Sequence, residues 1–213
     1  MSNKGVDVKR SDMKKSLMVL FILSTIIIFY SCGPKHEYVD LGLPSGTKWA
    51  TCNVGANTPE EYGDFYAWGE TETKSEYTEE NCVTCGESID DISGNPNYDV
   101  ARAKWGGSWR MPTKEEIIEL IENCTWKWTA QNNVSGYKVT GSNGNSIFLP
   151  AIVDSSYFFL RWLGSYWGST PKEKYDNEAF FFGFLCHEGE GLRDISYDYS
   201  WRNEGLTVRP VSK

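Results

Sequence analysis

The feature that most limits what this chain becomes is a short apolar run near its N-terminus. Two lysines precede 14 largely apolar residues, Leu17 to Tyr30, and Ser31-Cys32 follows directly. A basic start, a short apolar segment and a small residue before a cysteine are typical of a bacterial lipoprotein signal, which predicts lipid attachment at Cys32. At about 1.5 Å per residue the run is shorter than the roughly 30 Å hydrocarbon core, which favours a signal over a spanning anchor.

This signal divides the chain into three parts. We expect a signal peptide over 1–31, the lipidated cysteine with a short tether over 32–37, and one folded domain over 38–213. The expected location is a bacterial membrane, in our interpretation the outer membrane, with the domain facing the periplasm or the cell exterior. Removing five Lys/Arg and two Asp/Glu with residues 1–31 leaves 16 basic and 27 acidic residues, a net charge of −11. Such an acidic domain repels phosphate backbones, so we expect no nucleic-acid partner.

Two helices are predicted in the middle of the domain. The first covers Asp99 to Trp105 and ends at two glycines. The second opens at Thr113, where a threonine followed three residues later by Glu116 forms a capping box, and its apolar residues share one face by their three- and four-residue spacing.

Most other predicted elements are short strands. Alternating or β-branched runs bounded by turn residues indicate them, and Asn143-Gly144 is typical of a tight hairpin turn. The predicted strands are Lys48–Val54, Asp64–Trp68, Trp126–Thr129, Gly136–Thr140, Ser146–Leu149, Ser165–Ser169, Ala179–Cys186 and Leu206–Val211. Between Gly69 and Asn97 the chain is acidic, polar and rich in Gly and Ser, which predicts a long irregular surface loop.

The domain carries five cysteines, an odd number, and the sequence leaves their pairing open. Cys82 and Cys85 have the spacing of redox and zinc motifs. Acidic neighbours at Glu79 and Glu80 disfavour the thiolate, however, and no second close pair supplies further ligands. We therefore expect a structural clip at this loop, and neither a metal site nor a cofactor.

Five segments in order carry a family resemblance. They are Tyr38–Gly46, Trp109–Thr113, Ile147–Ala151, Tyr166–Thr170 and Val208–Val211. Together the segments resemble the Fibrobacter major paralogous domain family, lipoprotein-borne domains similar to the C-type lectin-like fold of formylglycine-generating enzymes and of diversified receptor-binding proteins. The resemblance implies an α+β domain in which two helices accompany short antiparallel strands and long loops.

Two functions of related folds are not supported by the residues present. The calcium-dependent sugar site of C-type lectins needs carboxylate ligands, but Asn95-Pro96-Asn97 lacks one, and Trp201-Arg202-Asn203 places an arginine in the other half of the pattern. The formylglycine-generating enzymes use a late pair of cysteines, whereas Cys186 stands alone in the last third of this chain.

The sequence also offers no catalytic constellation. The domain and its tether hold two histidines, His36 in the tether and His187 beside Cys186. Neighbouring residues of a strand point to opposite faces, so Cys186 and His187 do not form a dyad if the strand continues through them. No pair among the acidic residues is singled out for glycoside hydrolysis. We therefore predict no catalytic residue.

Aromatic residues carry the binding prediction. Six tryptophans lie in or beside predicted elements and are assigned to the core: Trp49, Trp68, Trp105, Trp109, Trp126 and Trp167. The segment Asp194–Asn203 differs, because polar and bulky residues alternate in it without Gly or Pro. As a strand it would place Ile195, Tyr197, Tyr199 and Trp201 on one face, an ordinary half-buried arrangement. As a loop it would present its aromatic rings to a sugar or a protein partner.

The candidate binding residues come from this segment. They are Tyr197, Asp198, Tyr199, Trp201, Arg202 and Asn203. The expected function is that of a lipid-anchored, non-catalytic domain that binds a glycan or a protein. The alternatives are a structural or assembly subunit of a surface adhesin and a diversified display scaffold, since the Tyr, Ser, Asp and Asn content also resembles a diversified variable region.

Overall fold

The computed structural model describes residues 36–151, 162–186 and 193–213, all within one compact unit, His36–Lys213. The predicted signal peptide, Cys32 and His187 lie outside the described residues. Among the described residues, none of the helices has the length and apolar character that crossing a membrane requires.

The described domain is α+β, as predicted, with two helices and three small antiparallel sheets. The elements in chain order are β1 Tyr38–Asp40, β2 Lys48–Ala50, α1 Val100–Trp105, α2 Lys114–Asn123, β3 Thr125–Gln131, β4 Val134–Thr140, β5 Ser146–Pro150, β6 Trp162–Pro171, β7 Glu178–Cys186, β8 Arg193–Trp201 and β9 Val211–Ser212. The strand orders are β1-β2-β9, β3-β4-β5 and β6-β7-β8.

Both helices begin where the sequence predicts them. At α1 the Asp99 side chain accepts a hydrogen bond from the Arg102 backbone N–H at 3.0 Å. At α2 the capping box is complete, because the Thr113 hydroxyl accepts from the Glu116 backbone at 3.4 Å while the Glu116 carboxylate accepts from the Thr113 N–H at 3.0 Å. These local bonds satisfy N–H groups that a helix start leaves without partners.

Three predicted strands are shorter in the structure. The first ends at Ala50 instead of Val54, and the segments at 64–68 and 206–211 are reduced to isolated bridges, such as that between Tyr66 and Leu206, before β9 begins at Val211. The first segment pairs over the three residues of β2, whereas the other two have isolated bridges outside β9. Their apolar side chains are nevertheless buried, and that burial produces the strand-like pattern.

The segment from Gly69 to Asn97 is irregular, as predicted, apart from one turn of 3-10 helix at Glu79–Asn81. It is not confined to the surface, because Thr84 and Ile92 are almost completely buried. A disulfide joins Cys82 to Cys85, which confirms the structural clip.

The central strand β7 explains how the core is organised. Phe180, Phe182 and Phe184 alternate along it and enter one apolar cluster with helix α2, while Phe181 points to the other face and enters a second cluster with Trp68 and Trp167. Because successive strand residues face opposite sides, a run of three phenylalanines serves two cores at once.

Candidate functional site

The segment that carries the candidate binding residues is strand β8. It pairs antiparallel with β7, so that Tyr197 lies opposite Phe182, Tyr199 opposite Phe180 and Trp201 opposite Glu178. Directly opposed residues of an antiparallel pair project to the same face. The strand interpretation is therefore correct, and the aromatic residues of β8 share the face of the buried phenylalanines.

The two outer rings on this face, Tyr197 and Trp201, remain open to solvent. The Tyr197 ring lies 5.4 Å from the Phe180 ring and is 44% exposed, and Trp201 is 55% exposed. Tyr199 packs edge-on against Phe180 at 5.6 Å and is partly buried. Tyr197 and Tyr199 thus have supported positions on the Phe180 ring, and Tyr197 and Trp201 have accessible surface. Supported and accessible rings are what a preformed binding surface needs.

Two lysines place positive charge within this surface. Lys114, at the start of α2, donates to the Tyr199 hydroxyl at 3.0 Å and lies 5.5 Å from the Phe180 ring centroid. Lys172 lies 5.3 Å from the Tyr199 ring and 4.6 Å from that of Tyr175, which is 58% exposed. We name Tyr175, Tyr197, Tyr199 and Trp201 the aromatic face.

Hydrogen bonds raise the pKa of both lysines above its ordinary value. The bond to the Tyr199 hydroxyl is the main reason why the pKa of Lys114 is raised. The bond from Lys172 to the Glu178 carboxylate, 2.6 Å long, does the same for the pKa of Lys172. The aromatic face therefore offers rings together with ammonium and hydroxyl donors at neutral pH.

Sequence reasoning missed Tyr175, Lys114 and Lys172. They come from the β6–β7 turn and from a helix 85 residues before Tyr199. Only the pairing of β7 with β8 and the packing of α2 bring them to one place. The sequence signal available was the period-two alternation of β8. It predicts which β8 residues share a face but not which residues of other elements lie beside that face.

The polar candidates lie elsewhere around β8. Asp198 is exposed on the opposite face of the strand, where its carboxylate accepts from the Tyr199 backbone N–H at 2.8 Å. Asn203 is partly buried in the turn that follows β8. Asp198 is thus accessible but does not share the aromatic face.

The prediction of Arg202 as a surface contact is wrong. Arg202 is 1% exposed, and its Nη1 donates to the backbone oxygens of Thr84 at 2.9 Å and Glu87 at 2.8 Å. The guanidinium lies 4.4 Å from the Trp68 ring centroid, and burial lowers its pKa. Arg202 therefore fastens the disulfide-clipped loop to the second core and is unavailable to a ligand.

The assignment of Trp109 to the core is also wrong, whereas Trp105 packs against the second core without being fully buried. Both are only partly buried, and they form an aromatic cluster with His36 at the start of the described chain. Trp49, Trp68 and Trp167 are fully buried, as predicted, and Trp126 is partly buried against the first core.

The Cys124 thiol and the His36 imidazole both lie in partly buried surroundings. Burial raises the pKa of Cys124 to about 11, so its thiol is protonated at neutral pH. The His36 ring stacks on Trp105 at 3.6 Å, and burial lowers its pKa. Within residues 36–151, 162–186 and 193–213 no group of three or more His, Cys, Asp or Glu residues is placed to hold a metal ion.

A small depression of about 190 Å³ opens beside the β3-β4-β5 sheet. It is lined by Thr51, Pro59, Gln131, Lys138, Ser146, Ile147 and Phe148. Lys138 is the single ionisable side chain among these, and none of the sequence-predicted site residues reaches it. The depression has the polarity of ordinary surface and adds no chemistry to the aromatic face.

Comparisons with known proteins add no relative to this picture. The chain matches no protein-family model, no curated protein and no solved structure.

Proposed function

We propose that this protein is a lipid-anchored bacterial envelope protein whose non-catalytic domain binds a glycan or a protein partner through the aromatic face. The observation that carries the proposal is that Trp201 and Tyr197 are about half exposed on a strand whose other aromatic neighbours are buried. A tryptophan left half exposed forfeits roughly 2 to 3 kcal/mol of hydrophobic stabilisation, which a ligand covering the ring recovers.

A glycan fits this face better than a featureless apolar partner does. A sugar ring has an apolar C–H surface and a hydroxyl rim, so it matches flat rings flanked by hydrogen-bond donors. Lys172 and the tyrosine hydroxyls of the aromatic face supply those donors next to the rings. The preference for a glycan thus depends on the mixture of exposed rings and charged donors.

A second candidate function is a structural or assembly subunit of a surface adhesin. β8 ends the strand order β6-β7-β8, and no other described strand pairs with its outer edge. A nine-residue edge strand offers a row of backbone groups to which another chain can add a strand. The aromatic face would then pack against the added subunit.

A display scaffold diversified in the last third of the chain remains a further proposal, tested by comparing the encoding DNA with a near-identical template.

The proposed fold family is the C-type lectin-like fold of the Fibrobacter major paralogous domain. Support comes from where two of the five motifs lie. Arg209 is completely buried and donates to the backbone oxygens of Ala50 and Phe148, both at 3.0 Å, and so ties three distant segments together. Thr113 closes another motif and caps α2. Proteins that share a fold need the same buried contacts and helix caps, so motif residues in these positions support the proposed fold family.

A glycan array distinguishes the two candidate functions. The lipoprotein, purified in detergent, is applied to the array and bound protein is detected by antibody. Selective retention on a subset of glycans supports the proposed function. A pure assembly subunit binds no sugar and instead forms oligomers.

The proposed anchor has its own test. Cells producing the wild-type chain or Cys32→Ala are labelled with a radioactive fatty acid. We expect label in the wild-type protein alone, because the apolar run and Ser31 place the processing site before Cys32. Label of equal intensity in the variant contradicts the assignment.

A further inference from the structure

A second group of aromatic rings lies at the beginning of the described chain, apart from the aromatic face. The His36 ring stacks on Trp105 at 3.6 Å with an interplanar angle of 5°, and Trp109 packs edge-on against Trp105 at 5.1 Å. Tyr38 adjoins Trp109 at 6.3 Å. We name His36, Tyr38, Trp105 and Trp109 the tether-side patch.

The patch is exposed enough to meet a partner. Tyr38 is 50% exposed, and the other three rings are partly buried. Lys48 extends its ammonium to 5.0 Å from the Tyr38 ring centroid. Tryptophan and tyrosine combine an apolar ring with a polar N–H or O–H, and a neighbouring lysine can keep its charge in water while its stem lies along the rings.

The patch lies close to the proposed anchor along the chain. Three residues lie between Cys32 and His36, so the four Cα–Cα steps that connect them span at most about 14 Å when fully extended. The headgroup region on each side of the hydrocarbon core is itself several ångströms deep, on the order of 5 to 8 Å. A domain held by so short a tether must keep the surface around His36 next to the lipid headgroups.

We propose that the tether-side patch seats the domain on the bilayer, with its rings at the level of the headgroups. The inference rests on the proposed lipidation of Cys32. Tryptophan and tyrosine concentrate at membrane–water interfaces because their rings and polar atoms suit that depth. The net charge of −11 over residues 32–213 disfavours anionic lipid, so zwitterionic phospholipid is the surface that fits. The lowered pKa of His36 keeps its ring neutral there.

Seating would fix the orientation of the domain. A lipid chain alone tethers a domain without setting which surface faces the membrane, whereas a second contact restricts rotation about the tether. The patch and the anchor together supply these two contacts.

The test uses the full-length lipidated protein in phosphatidylcholine vesicles that carry bromine on the acyl chains near the headgroup. Bromine quenches tryptophan fluorescence only at short range. We expect clear quenching in the wild type and at least about a twofold smaller quenched fraction in the Trp105→Phe/Trp109→Phe variant, because these rings are the ones at interface depth. The matched control, Trp126→Phe/Trp128→Phe, removes two other partly buried tryptophans, and we expect it to be quenched like the wild type.

Vesicle flotation separates the two proposals. If the protein floats with the vesicles and both double variants are quenched alike, the seating is wrong and the anchor stands. A tether-side patch that binds a protein partner gives this result. Protein that does not float, and that carries no lipid by mass spectrometry, overturns the lipidation and the seating with it. Phenylalanine keeps ring packing in both variants, and a thermal melt confirms that each is folded.

Discussion

Replacing Arg202 with alanine separates its structural role from the binding role that its position in the sequence indicates. The guanidinium makes two short hydrogen bonds, to the backbone oxygens of Thr84 and Glu87, and a longer one of 3.4 Å from Nε to the Glu178 backbone oxygen. It also lies over the Trp68 ring. Each such bond is worth about 1.5 to 3 kcal/mol and the stacking about 1 to 2 kcal/mol. The desolvation cost of burying the charge offsets several kcal/mol of this sum. Alanine also removes a charged donor from the backbone oxygens of Thr84 and Glu87.

We expect Arg202→Ala to lower the free energy of unfolding by about 3 to 5 kcal/mol, the usual cost of breaking a buried charged contact. For a domain of this size that corresponds to a fall in Tm on the order of 10 °C. Arg202→Lys should give an intermediate loss, since lysine keeps the charge but not the planar fork. The matched control is its neighbour: Trp201→Ala removes a 55% exposed ring and should cost about 2 kcal/mol, less than Arg202→Ala, because only the buried part of the ring contributes to folding.

The assay is a circular-dichroism thermal melt of the four proteins in the same detergent. Equal Tm values for the wild type and Arg202→Ala would refute the reasoning, because they would mean that the Arg202 contacts do not stabilise the fold. A fall for Trp201→Ala as large as that for Arg202→Ala would make Trp201 a core residue and remove the best member of the aromatic face.

Three other predictions concern stability. Thr113→Ala removes the α2 cap and should cost about 1 kcal/mol in urea denaturation without changing glycan affinity. Glu116→Gln breaks the ion pair with Arg110, joined at 2.6 Å, and should cost about 3 kcal/mol. Burial alone raises the pKa of Glu116, but the bonds from Arg110 and Thr113 outweigh burial, so the pKa is lowered. The ion pair therefore stabilises the fold above the ordinary glutamate pKa, and this stabilisation is lost as the pH falls from that value through the lowered pKa, where the wild type approaches the variant. Cys82→Ser/Cys85→Ser opens the loop clip and should cost about 2 kcal/mol by loop entropy, measured against the wild type under non-reducing conditions; equal stability would mean that the Arg202 contacts alone hold the loop.

The elements that the sequence predicts well are those encoded locally. The start of α2 depends on Thr113 and Glu116, three residues apart, and the β4–β5 hairpin turns at Asn143-Gly144, where Gly144 has a φ of +84°. Each needs nothing from the rest of the chain. The sequence therefore places these elements within a residue or two.

What the sequence cannot supply is the distant partner of a side chain. Arg202 resembles a surface residue in its polar segment, yet its hydrogen-bond acceptors are backbone oxygens 118 and 115 residues earlier. Trp109 follows helix α1, as a core residue could, but its ring contacts Trp105 and His36 near the tether instead of entering the core. Trp105, the last residue of α1, packs against the second core and also stacks on His36. In each case the tertiary fold determines what surrounds the side chain, and the local sequence does not contain that information.

The central claim is the proposal that the aromatic face binds a glycan, and a glycan array with three proteins tests it most directly. The wild-type lipoprotein, the Tyr197→Ala/Trp201→Ala variant and a control, Val83→Ala, are applied at equal concentration; Val83 is 71% exposed on the disulfide-clipped loop, so the control also removes exposed apolar surface. Rings that dominate a binding surface cost about 2 kcal/mol or more when truncated, a loss of roughly thirtyfold in affinity. The account predicts that the wild type and Val83→Ala retain the same glycans and that the double variant, folded by its thermal melt, loses them. Identical profiles for all three proteins, or no retained glycan for any of them, would contradict it.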